Sequence, residues 1–462
     1  MTLIVTSQYE LSQVTPPNLP MAPGQYDSRY QEQFNNVLRL YFNQLNKIVG
    51  QLMASNTEVP ISFPPTALDA FGRQRVSQPY TLFDSQNRYA ADNQFDTSTS
   101  GTGSTTFNTN QASVSMSVTA GGVGSVVRQT YRSFPYQPGK GLLVLATFQM
   151  DASSSANLSQ KVGYFNSQNG VFFSKTDGTN AFTLRSYTGG SVDDSRTVAQ
   201  SSWNGDKLDG TGASGYTLDL THPQILWMDF EWLGVGSVRC GFIIDGQYIV
   251  CHTFDTANTY GTTVYMTTAI LPVRYEIVSS SAVAATLTQI CSSVVSEGGF
   301  EQTSIDHVAR RTTIFNTIDT AATFYPIVSI RLASGRTGAV VLPNRLQFLP
   351  TTSQNYEVAL LKNPTLTGAT WAATVPSDSN VEYDVAATAI SSVGTIVQTD
   401  YVTATGSGGV GLTSAATGYN WDLQLGASIA GVSDIYTLAV RTVSGATTGD
   451  GVGSISFFDL TQ

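Results

Sequence analysis

Short apolar runs separated by turn-forming residues limit the fold of this chain more than any other feature. Between about residues 71 and 300, runs rich in Val, Ile, Phe and Leu alternate with stretches of Gly, Ser, Thr, Asn and Asp. Such runs are too short for most helices and have the composition of β-strands. The candidates are SVSMSVTA (113–120), GLLVLATFQM (141–150), GVFFS (170–174), AFTLRSY (181–187), ILWMDFEWL (225–233), SVRCGFII (237–244) and QYIVCHTF (247–254). We therefore expect a β-sandwich domain, of jelly-roll or lectin-like type, over residues 56–300.

The same alternation continues over residues 301–462, which we expect to form a C-terminal β-rich part. Its strand candidates are TFYPIVSIRL (323–332), GAVVLPNRLQFLP (338–350), YEVALLK (356–362), TWAAT (370–374), SDIYTLAVRTV (433–443) and SISFFDL (454–460). Long polar stretches at 93–111 and 201–215 are typical of surface loops. The predicted fold class is therefore mainly β.

Charge and cysteine usage exclude several classes of protein. Charged residues make up 12% of the chain and the net charge is −10, with no Lys/Arg cluster longer than Arg310-Arg311. Nucleic acid binding requires a basic patch, so we expect none. No apolar run reaches the length of a membrane span, and the amino terminus does not resemble a signal peptide. Together with only three cysteines, this indicates synthesis in a cytoplasm.

Asp245-Gly246 predicts a β-hairpin, because a type I′ turn needs two residues that accept positive φ. That turn fixes three cross-strand pairs: Ile244 with Gln247, Phe242 with Ile249, and Cys240 with Cys251. The last pair places two backbones about 5.5 Å apart, within reach of a disulfide. A reducing cytoplasm favours two buried free thiols over the disulfide.

One segment, residues 26–55, predicts a long helix. Six apolar residues recur there at spacings of four and three: Phe34, Leu38, Tyr41, Leu45, Ile48 and Leu52. This is the seam of a coiled coil, and Asp27 is placed to cap the helix or to lie in its first turn. The seam either joins copies of the chain or packs on the chain's own β-domain. Proline-rich segments on both sides, an extended attachment arm over 1–25 and a linker with Pro60, Pro64 and Pro65, favour an oligomer interface.

The sequence contains no catalytic constellation that we can name. It has three histidines, His222, His252 and His307, each far from the others, and no Cys-x-x-Cys, so no metal or cofactor is expected. Asp229 and Glu231 share one side of a strand. The alternative to a protein without catalysis is that they form a glycosidase-type carboxylate pair. We expect instead that the protein is not an enzyme. A lectin-like contact would use loop residues such as Trp203 and Asn204, although a structural loop is the simpler interpretation there.

Several sequence blocks resemble virion structural proteins of tailed phages, particularly those of marine and cyanobacterial hosts. They are YDSRYQEQFNNVLRLYFNQL (26–45), AFGRQRVSQPYTLFDSQNRY (70–89), WLGVGSVRCGFIIDG (232–246), LPVRYEI (271–277) and ICSSVVSEGGFE (290–301). The resemblance implies a fibre or tail-appendage component, often trimeric. It carries no catalytic residue, and it does not extend over residues 302–462.

These observations lead to one functional hypothesis with two alternatives. We expect a tail fibre or appendage subunit, a homotrimer located in the virion after assembly in the host cytoplasm. Residues 1–55 would attach it to other virion proteins, and the β-domains would contact the host surface, including its glycans. The alternatives are a capsid decoration protein or head fibre, and a polysaccharide-degrading tailspike.

Overall fold

The computed structural model of the chain falls into two units, residues 1–64 and 65–462. The residues it describes are 18–21, 24–58, 69, 78–232, 234–259, 263–301, 304, 306–316, 318–373, 379–403, 408–411, 421–443 and 449–461. Within 47–58 and 408–411 only the backbone is described. Most of the predicted attachment arm and the proline-containing linker therefore lie outside the described residues.

The first unit contains one α-helix in its described part, α1 (Ser28–Glu58), close to the predicted 26–55. Asp27 caps it: its Oδ1 accepts a hydrogen bond from the backbone N–H of Arg29 at 2.8 Å. Its carbonyl oxygen accepts another from the N–H of Gln31 at 3.2 Å. A carboxylate at this place satisfies a helix N–H that has no partner within the helix, and its charge suits the positive end of the helix dipole.

The second unit begins with seventeen strands, of which fifteen form two facing antiparallel sheets. The seventeen strands are β1 (Tyr80–Gln86), β2 (Phe95–Gly101), β3 (Ser104–Asn108), β4 (Ser113–Val118), β5 (Gly124–Thr130), β6 (Phe134–Pro135), β7 (Leu142–Met150), β8 (Leu158–Phe165), β9 (Gly170–Thr176), β10 (Thr179–Arg185), β11 (Thr197–Ala199), β12 (Gln224–Phe230), β13 (Val238–Ile244), β14 (Gln247–Phe254), β15 (Ile270–Leu271), β16 (Val273–Ser279) and β17 (Ala285–Ser296). The two strands outside the facing sheets, β6 and β15, pair with each other.

An eight-stranded and a seven-stranded sheet form this first sandwich. The eight-stranded sheet has the order β14-β13-β12-β7-β17-β4-β3, with β1 also paired to β17, and the seven-stranded sheet has the order β11-β10-β9-β8-β16-β5-β2. The inward side chains of both sheets form one apolar cluster that includes Phe148, Phe173, Met228, Phe242 and Tyr275. Because inward and outward residues alternate along each strand, both sheets keep an outer face. The predicted β-sandwich is confirmed.

Residues 93–111, predicted as a surface loop, instead form the strands β2 and β3, so that prediction is wrong. β2 lies at the edge of the seven-stranded sheet and β3 at the edge of the eight-stranded sheet, and their connection closes one side of the sandwich. A Cβ at Gly103 would lie 2.0 Å from the carbonyl oxygen of Ser125, so the chain crosses here only with glycine. The sequence does not predict these strands because they consist mostly of exposed Ser and Thr, without alternating apolar residues.

Twelve further strands form the C-terminal part. They are β18 (Asp306–Arg310), β19 (Tyr325–Leu332), β20 (Val341–Pro350), β21 (Tyr356–Lys362), β22 (Thr365–Thr367), β23 (Ala372–Ala373), β24 (Val381–Asp384), β25 (Ala389–Ser392), β26 (Thr395–Val402), β27 (Gly408–Gly411), β28 (Ile435–Thr442) and β29 (Gly451–Asp459). A four-stranded sheet (β18-β29-β20-β27) and a six-stranded sheet (β23-β24-β19-β28-β21-β26) enclose a second apolar cluster. This part is the second sandwich.

Trp421 connects the two sandwiches within the second unit. Its indole Nε1–H donates to the hydroxyl of Tyr80 at 2.9 Å, and its ring meets that of Phe300 edge to face at 4.8 Å. Arg132, almost fully buried, donates from Nη1 to the Trp421 carbonyl oxygen at 2.5 Å. The expected boundary at residue 300 thus falls between two sets of sheets that pack against each other.

Candidate functional site

A groove of about 330 Å³ lies on the outer face of the seven-stranded sheet. Its floor comes from alternate residues of β8, β9 and β10 and from β11, because every second side chain of a strand points to the same face. The lining side chains are Ser159, Lys161, Phe172, Ser174, Thr176, Thr179, Ala181, Thr183, Asp194 and Thr197. The residues between them, such as Val162, Phe173 and Phe182, belong to the apolar core. One face of these strands stabilises the sandwich, and the other carries the groove.

A tight turn at Asp177-Gly178 sets the register of the groove. The two residues have φ values of 51° and 78°, the left-handed pair that a type I′ hairpin turn requires. The turn joins β9 to β10 and gives the cross-strand pairs Thr176–Thr179, Ser174–Ala181 and Phe172–Thr183. On the other side of β9, Lys161 of β8 pairs with Ser174.

Hydroxyl groups dominate the lining, since six of the ten side chains are Ser or Thr. Ser159 and Thr176 share a hydrogen bond of 2.9 Å between their hydroxyl oxygens, and so do Thr183 and Thr197. Thr197 also donates to the carbonyl oxygen of Asp194 at 2.8 Å. A hydroxyl offers one donor and two acceptor positions, so a shared bond leaves capacity on each pair. These side chains are held in place, and the exposed members, Thr176 and Thr197, can still bind a polar ligand.

Beside the groove, one carboxylate joins two cations. Glu276 Oε1 lies 3.0 Å from the Lys161 ammonium, and its Oε2 lies 2.6 Å from Nη2 of Arg274. The Arg274 guanidinium also donates to the side-chain oxygen of Gln129 at 2.9 Å. Burial alone would raise the pKa of Glu276, but the charges of Lys161 and Arg274 outweigh it and lower the pKa. Glu276 is therefore ionised at neutral pH and fixes the Lys161 side chain.

At the opposite rim, Arg185 and Asp194 form a two-pronged ion pair. The Arg185 Nε–H donates to Asp194 Oδ1 at 2.8 Å, and Nη2 donates to Oδ2 at 2.7 Å. The guanidinium lies 5.1 Å from the centre of the Phe172 ring. Such paired hydrogen bonds fix both side chains in direction as well as in distance. Both charged groups that line the groove, Lys161 and Asp194, thus have partners.

Phe172 lies across the sheet because its cross-strand neighbour is Gly163. A Cβ at Gly163 would lie 2.7 Å from the Phe172 Cβ and 2.4 Å from the Val171 carbonyl oxygen, so any larger residue would displace the neighbouring strand. The Lys161 ammonium lies 5.7 Å from the centre of the Phe172 ring. The aromatic floor and the cation over it therefore depend on one glycine.

The predicted oligomer seam lies on α1 and has no buried side chain in its described part. Phe34, Leu38 and Tyr41 are half-buried, and Leu45 is 36% exposed. The side chains of Ile48 and Leu52 lie outside the described residues. No side chain described between Ser28 and Asn46 is buried. The seam is available to a partner, and its role as an interface stays a prediction.

The Asp245-Gly246 hairpin has the predicted register near the turn but not at the cysteines. Ile244 pairs with Gln247 and Phe242 with Ile249, as predicted; Cys240 pairs with His252 and not with Cys251. A β-bulge between Cys240 and Gly241 shifts the register by one residue. Both thiols are buried and free, and burial raises the pKa of each of them.

Trp203 and Asn204 have structural contacts: Trp203 is buried, and Asn204 is exposed but bonds the backbone of a neighbouring strand. Trp203 is only 2% exposed; its Nε1–H donates to the Val198 carbonyl oxygen at 3.1 Å, and its ring lies 4.8 Å from Phe182. The amide of Asn204 exchanges two hydrogen bonds with the backbone of Thr253. These residues hold the segment before β12 against the edge strand β14, so the simpler of the two interpretations holds.

Asp229 and Glu231 do not form an open carboxylate pair. Asp229 is fully buried, and its Oδ1 accepts from the Arg239 Nε–H at 2.9 Å. Glu231 accepts from the backbone N–H of Ser237 at 3.1 Å. Asp229 lies on the outer face of the eight-stranded sheet but is covered, which a period-two pattern cannot reveal.

The three histidines lie apart in the fold. His222 bonds Asp219 at the surface, His252 accepts from the N–H of Asn204, and His307 stacks on Phe457. Burial lowers the pKa of His252. Within the described ranges, no three His, Cys, Asp or Glu side chains come together as a metal site would require. No helix in the described part of the chain is long and apolar enough to cross a membrane.

The groove itself was missed by reasoning from the sequence, although one signal was available. GVFFS and AFTLRSY have the composition of strands, and the Asp177-Gly178 dipeptide between them is the same turn signal as Asp245-Gly246. That turn alone would have placed Phe172, Ser174, Ala181 and Thr183 on one face. The contributions of β8 and β11 required the sheet order, which no local pattern contains.

Comparison with known proteins gives weak structural likenesses. No protein-family model matches the chain, and no curated protein matches it. Among solved structures, the carbohydrate recognition domain of Emp47p is 9% identical, covers 49% of this chain and 99% of its own, and gives a TM-score of 0.31. Peanut lectin is 10% identical, covers 48% of this chain and 98% of its own, and gives a TM-score of 0.30. The CBM2 module of the evolved Dit of Lactobacillus casei BL23 phage J-1 is 7% identical, covers 49% of this chain and 100% of its own, and gives a TM-score of 0.32. TM-scores this low assign neither a fold nor a function to this chain.

Proposed function

We propose that this chain is a structural protein of a tailed-phage virion, a tail fibre or similar appendage subunit, that binds a host-surface glycan through the groove of its first sandwich. The observation that supports binding is the lining of the groove: six hydroxyls, one aromatic floor and paired charges on neighbouring strands. Hydroxyls match the hydrogen-bonding groups of a sugar, and rigid strands need little ordering when a ligand binds.

The virion role is supported by the sequence blocks over residues 26–301 described above. In this proposal, residues 1–55 attach the subunit to other virion proteins, and three copies associate through the seam of α1. The half-buried and exposed apolar side chains of that seam support the association, since an apolar stripe on a helix is otherwise exposed to water.

The proposal includes binding without cleavage of the glycan. Glycoside hydrolysis needs two carboxyl groups that reach the same bond. Asp194, the acid that lines the groove, is held by Arg185, and the nearby Glu276 is held by Lys161 and Arg274. Incubation of the protein with host polysaccharide should therefore release no reducing ends.

Substitution of one groove hydroxyl tests the binding function. In Thr176→Val the side chain keeps its shape at an exposed position, and only the hydroxyl bond to Ser159 is lost, so the fold should persist. Removing a hydrogen bond to a ligand costs ~1 kcal/mol, roughly a fivefold loss of affinity, measured by calorimetry on a polysaccharide extracted from the host surface.

The matched control is Thr286→Val. Thr286 shares a 3.0 Å hydroxyl bond with Ser117 on the other sheet, away from the groove. Its substitution should leave the affinity unchanged. Equal losses in both variants, or full binding by Thr176→Val, would exclude the groove as the binding site.

Substitution in the seam tests the oligomer. Leu38→Asp places a charge in the seam, whereas Leu40→Asp places the same charge on the opposite side of α1, where Leu40 is 61% exposed. Light scattering of the full chain should show trimers for the parent and for Leu40→Asp, and smaller species for Leu38→Asp. A monomeric parent chain would contradict the trimer.

A further inference from the structure

We infer that the glycan bound in the groove is uncharged; this inference rests on the proposed function and names the ligand class of the same site. Two charged side chains line the groove, Lys161 and Asp194. Each forms an ion pair within the protein, Lys161 with Glu276 at 3.0 Å and Asp194 with Arg185 at 2.7 Å. The groove therefore presents paired charges, together with hydroxyls.

An acidic sugar would have to break one of these pairs. Its carboxylate would need Lys161 or Arg185, and taking either would leave Glu276 with Arg274 alone or Asp194 without Arg185. Glu276 is only 8% exposed, and removing one of the two cations that pair with a buried carboxylate is unfavourable. The net charge of −10 adds a general repulsion of polyanions.

A neutral sugar requires no such exchange. Each sugar hydroxyl donates one hydrogen bond and accepts others, and so do Ser159, Thr176, Thr183 and Thr197 in the groove. Their present bonds join them in pairs, which leaves acceptor positions on both members. Recognition by hydroxyl groups is also insensitive to salt, whereas recognition by charge weakens as salt screens it.

The test uses a set of host-type uronic acid polysaccharides, each beside its carboxyl-reduced form, which has the same backbone without the charge. The intact protein should bind reduced members at least tenfold more tightly than their acidic parents. Its affinity should change less than about twofold between low salt and about 0.5 M salt. Tighter, salt-sensitive binding of the acidic members would overturn the inference and leave the glycan-binding proposal standing. No binding to either form would overturn both.

Asp194→Asn makes the test sharper, because it releases Arg185 at the rim. This variant should gain affinity for the acidic members while it keeps the groove hydroxyls. Asp219→Asn is the control: it removes another surface acid from the pair with His222, outside the groove, and should retain the preference for the neutral forms. If Asp194→Asn still rejects every acidic member, the Arg185–Asp194 pair does not set the ligand class and the inference fails.

Discussion

The two outer faces of the first sandwich share a plan but differ in chemistry. Each has a mid-strand glycine opposite an aromatic residue: Gly163 opposite Phe172 on the seven-stranded sheet, and Gly241 opposite Trp227 on the eight-stranded sheet. Hydroxyls and ion pairs surround Phe172, whereas Trp227 lies among apolar residues, including Leu145, to which it is paired. The same backbone device thus supports a groove on one face and a packed apolar surface on the other.

The ion pairs of the two faces differ in the same way. Asp229 is fully buried beside Trp227 and has Arg239 as its cation. Glu276 shares two cations, and all three side chains keep some contact with water. We conclude that charges on the apolar face serve stability and that those beside the groove serve to position its lining.

The largest expected effect comes from replacing the aromatic residue of each face. Trp227→Ala should lower the free energy of unfolding by ~3–5 kcal/mol, because it opens a cavity at a residue that is 1% exposed. Urea unfolding followed by far-UV circular dichroism measures the loss. Phe172→Ala should also destabilise the chain, but it alone should reduce glycan affinity. A comparable loss of affinity in Trp227→Ala would end the distinction between the faces.

The second largest effect is the difference in stability lost when the carboxylates of Asp229 and Glu276 are replaced by amides. Asp229→Asn should cost ~3 kcal/mol of unfolding free energy, since it leaves Arg239 without its counter-charge in an apolar setting. Glu276→Gln should cost less, because Lys161 and Arg274 can turn towards water and Arg274 keeps Gln129. Chemical unfolding of both variants under one set of conditions decides this, and equal losses would contradict the difference.

The two glycines give a smaller effect of the same sign. A Cβ at Gly241 would lie 1.8 Å from the Ile249 carbonyl oxygen, against 2.4 Å for the closest contact at Gly163. Each alanine must displace backbone, at a cost of ~1–3 kcal/mol, and Gly241→Ala should cost more. Thermal midpoints of the two variants, measured side by side, test this order of stability. A lower midpoint for Gly163→Ala than for Gly241→Ala would contradict the prediction.

The smallest effect is the dependence of stability on acid pH that Glu276, beside the groove, should contribute. Lys161 and Arg274 lower the pKa of Glu276 below its ordinary 4.5, so the folded chain binds that proton more weakly than the unfolded chain. Its contribution to stability is complete above pH 4.5 and is lost as the pH falls through the lowered pKa. The thermal midpoint of Glu276→Gln should fall less steeply over that acid range than that of the parent. Parallel curves would exclude this role.

The sequence predicted the β-sandwich because its buried strands alternate apolar and polar residues over a clear period. It predicted the Phe242–Ile249 pair because the Asp245-Gly246 turn fixes the nearest residues. It did not predict that Cys240 faces His252, since a β-bulge between Cys240 and Gly241 shifts the register there and no turn residue marks it. It also did not predict β2 and β3, whose Ser and Thr residues pair at an edge without apolar side chains.

The groove shows the same limit. Phe172, Ser174 and Thr183 follow from one local turn, whereas the neighbours Lys161 and Thr197 follow only from the order of strands in the sheet. Glu276 and Arg274 come from β16, about a hundred residues further along the chain than β9 and next to β8 only in the fold. A site assembled from distant strands is therefore invisible to motif reading, even when each strand is recognised.

The pairing of β1 with β17 brings Tyr80 opposite Ser296, so the chain enters and leaves the first sandwich at one point. A module whose two ends meet can be exchanged for another of different loop and groove sequence while the segments before and after it keep their places. In this chain such an exchange must preserve the contact surface of Tyr80 and Arg132 for Trp421. Variation in what the molecule binds can thus be separated from how it is joined to the rest of the chain.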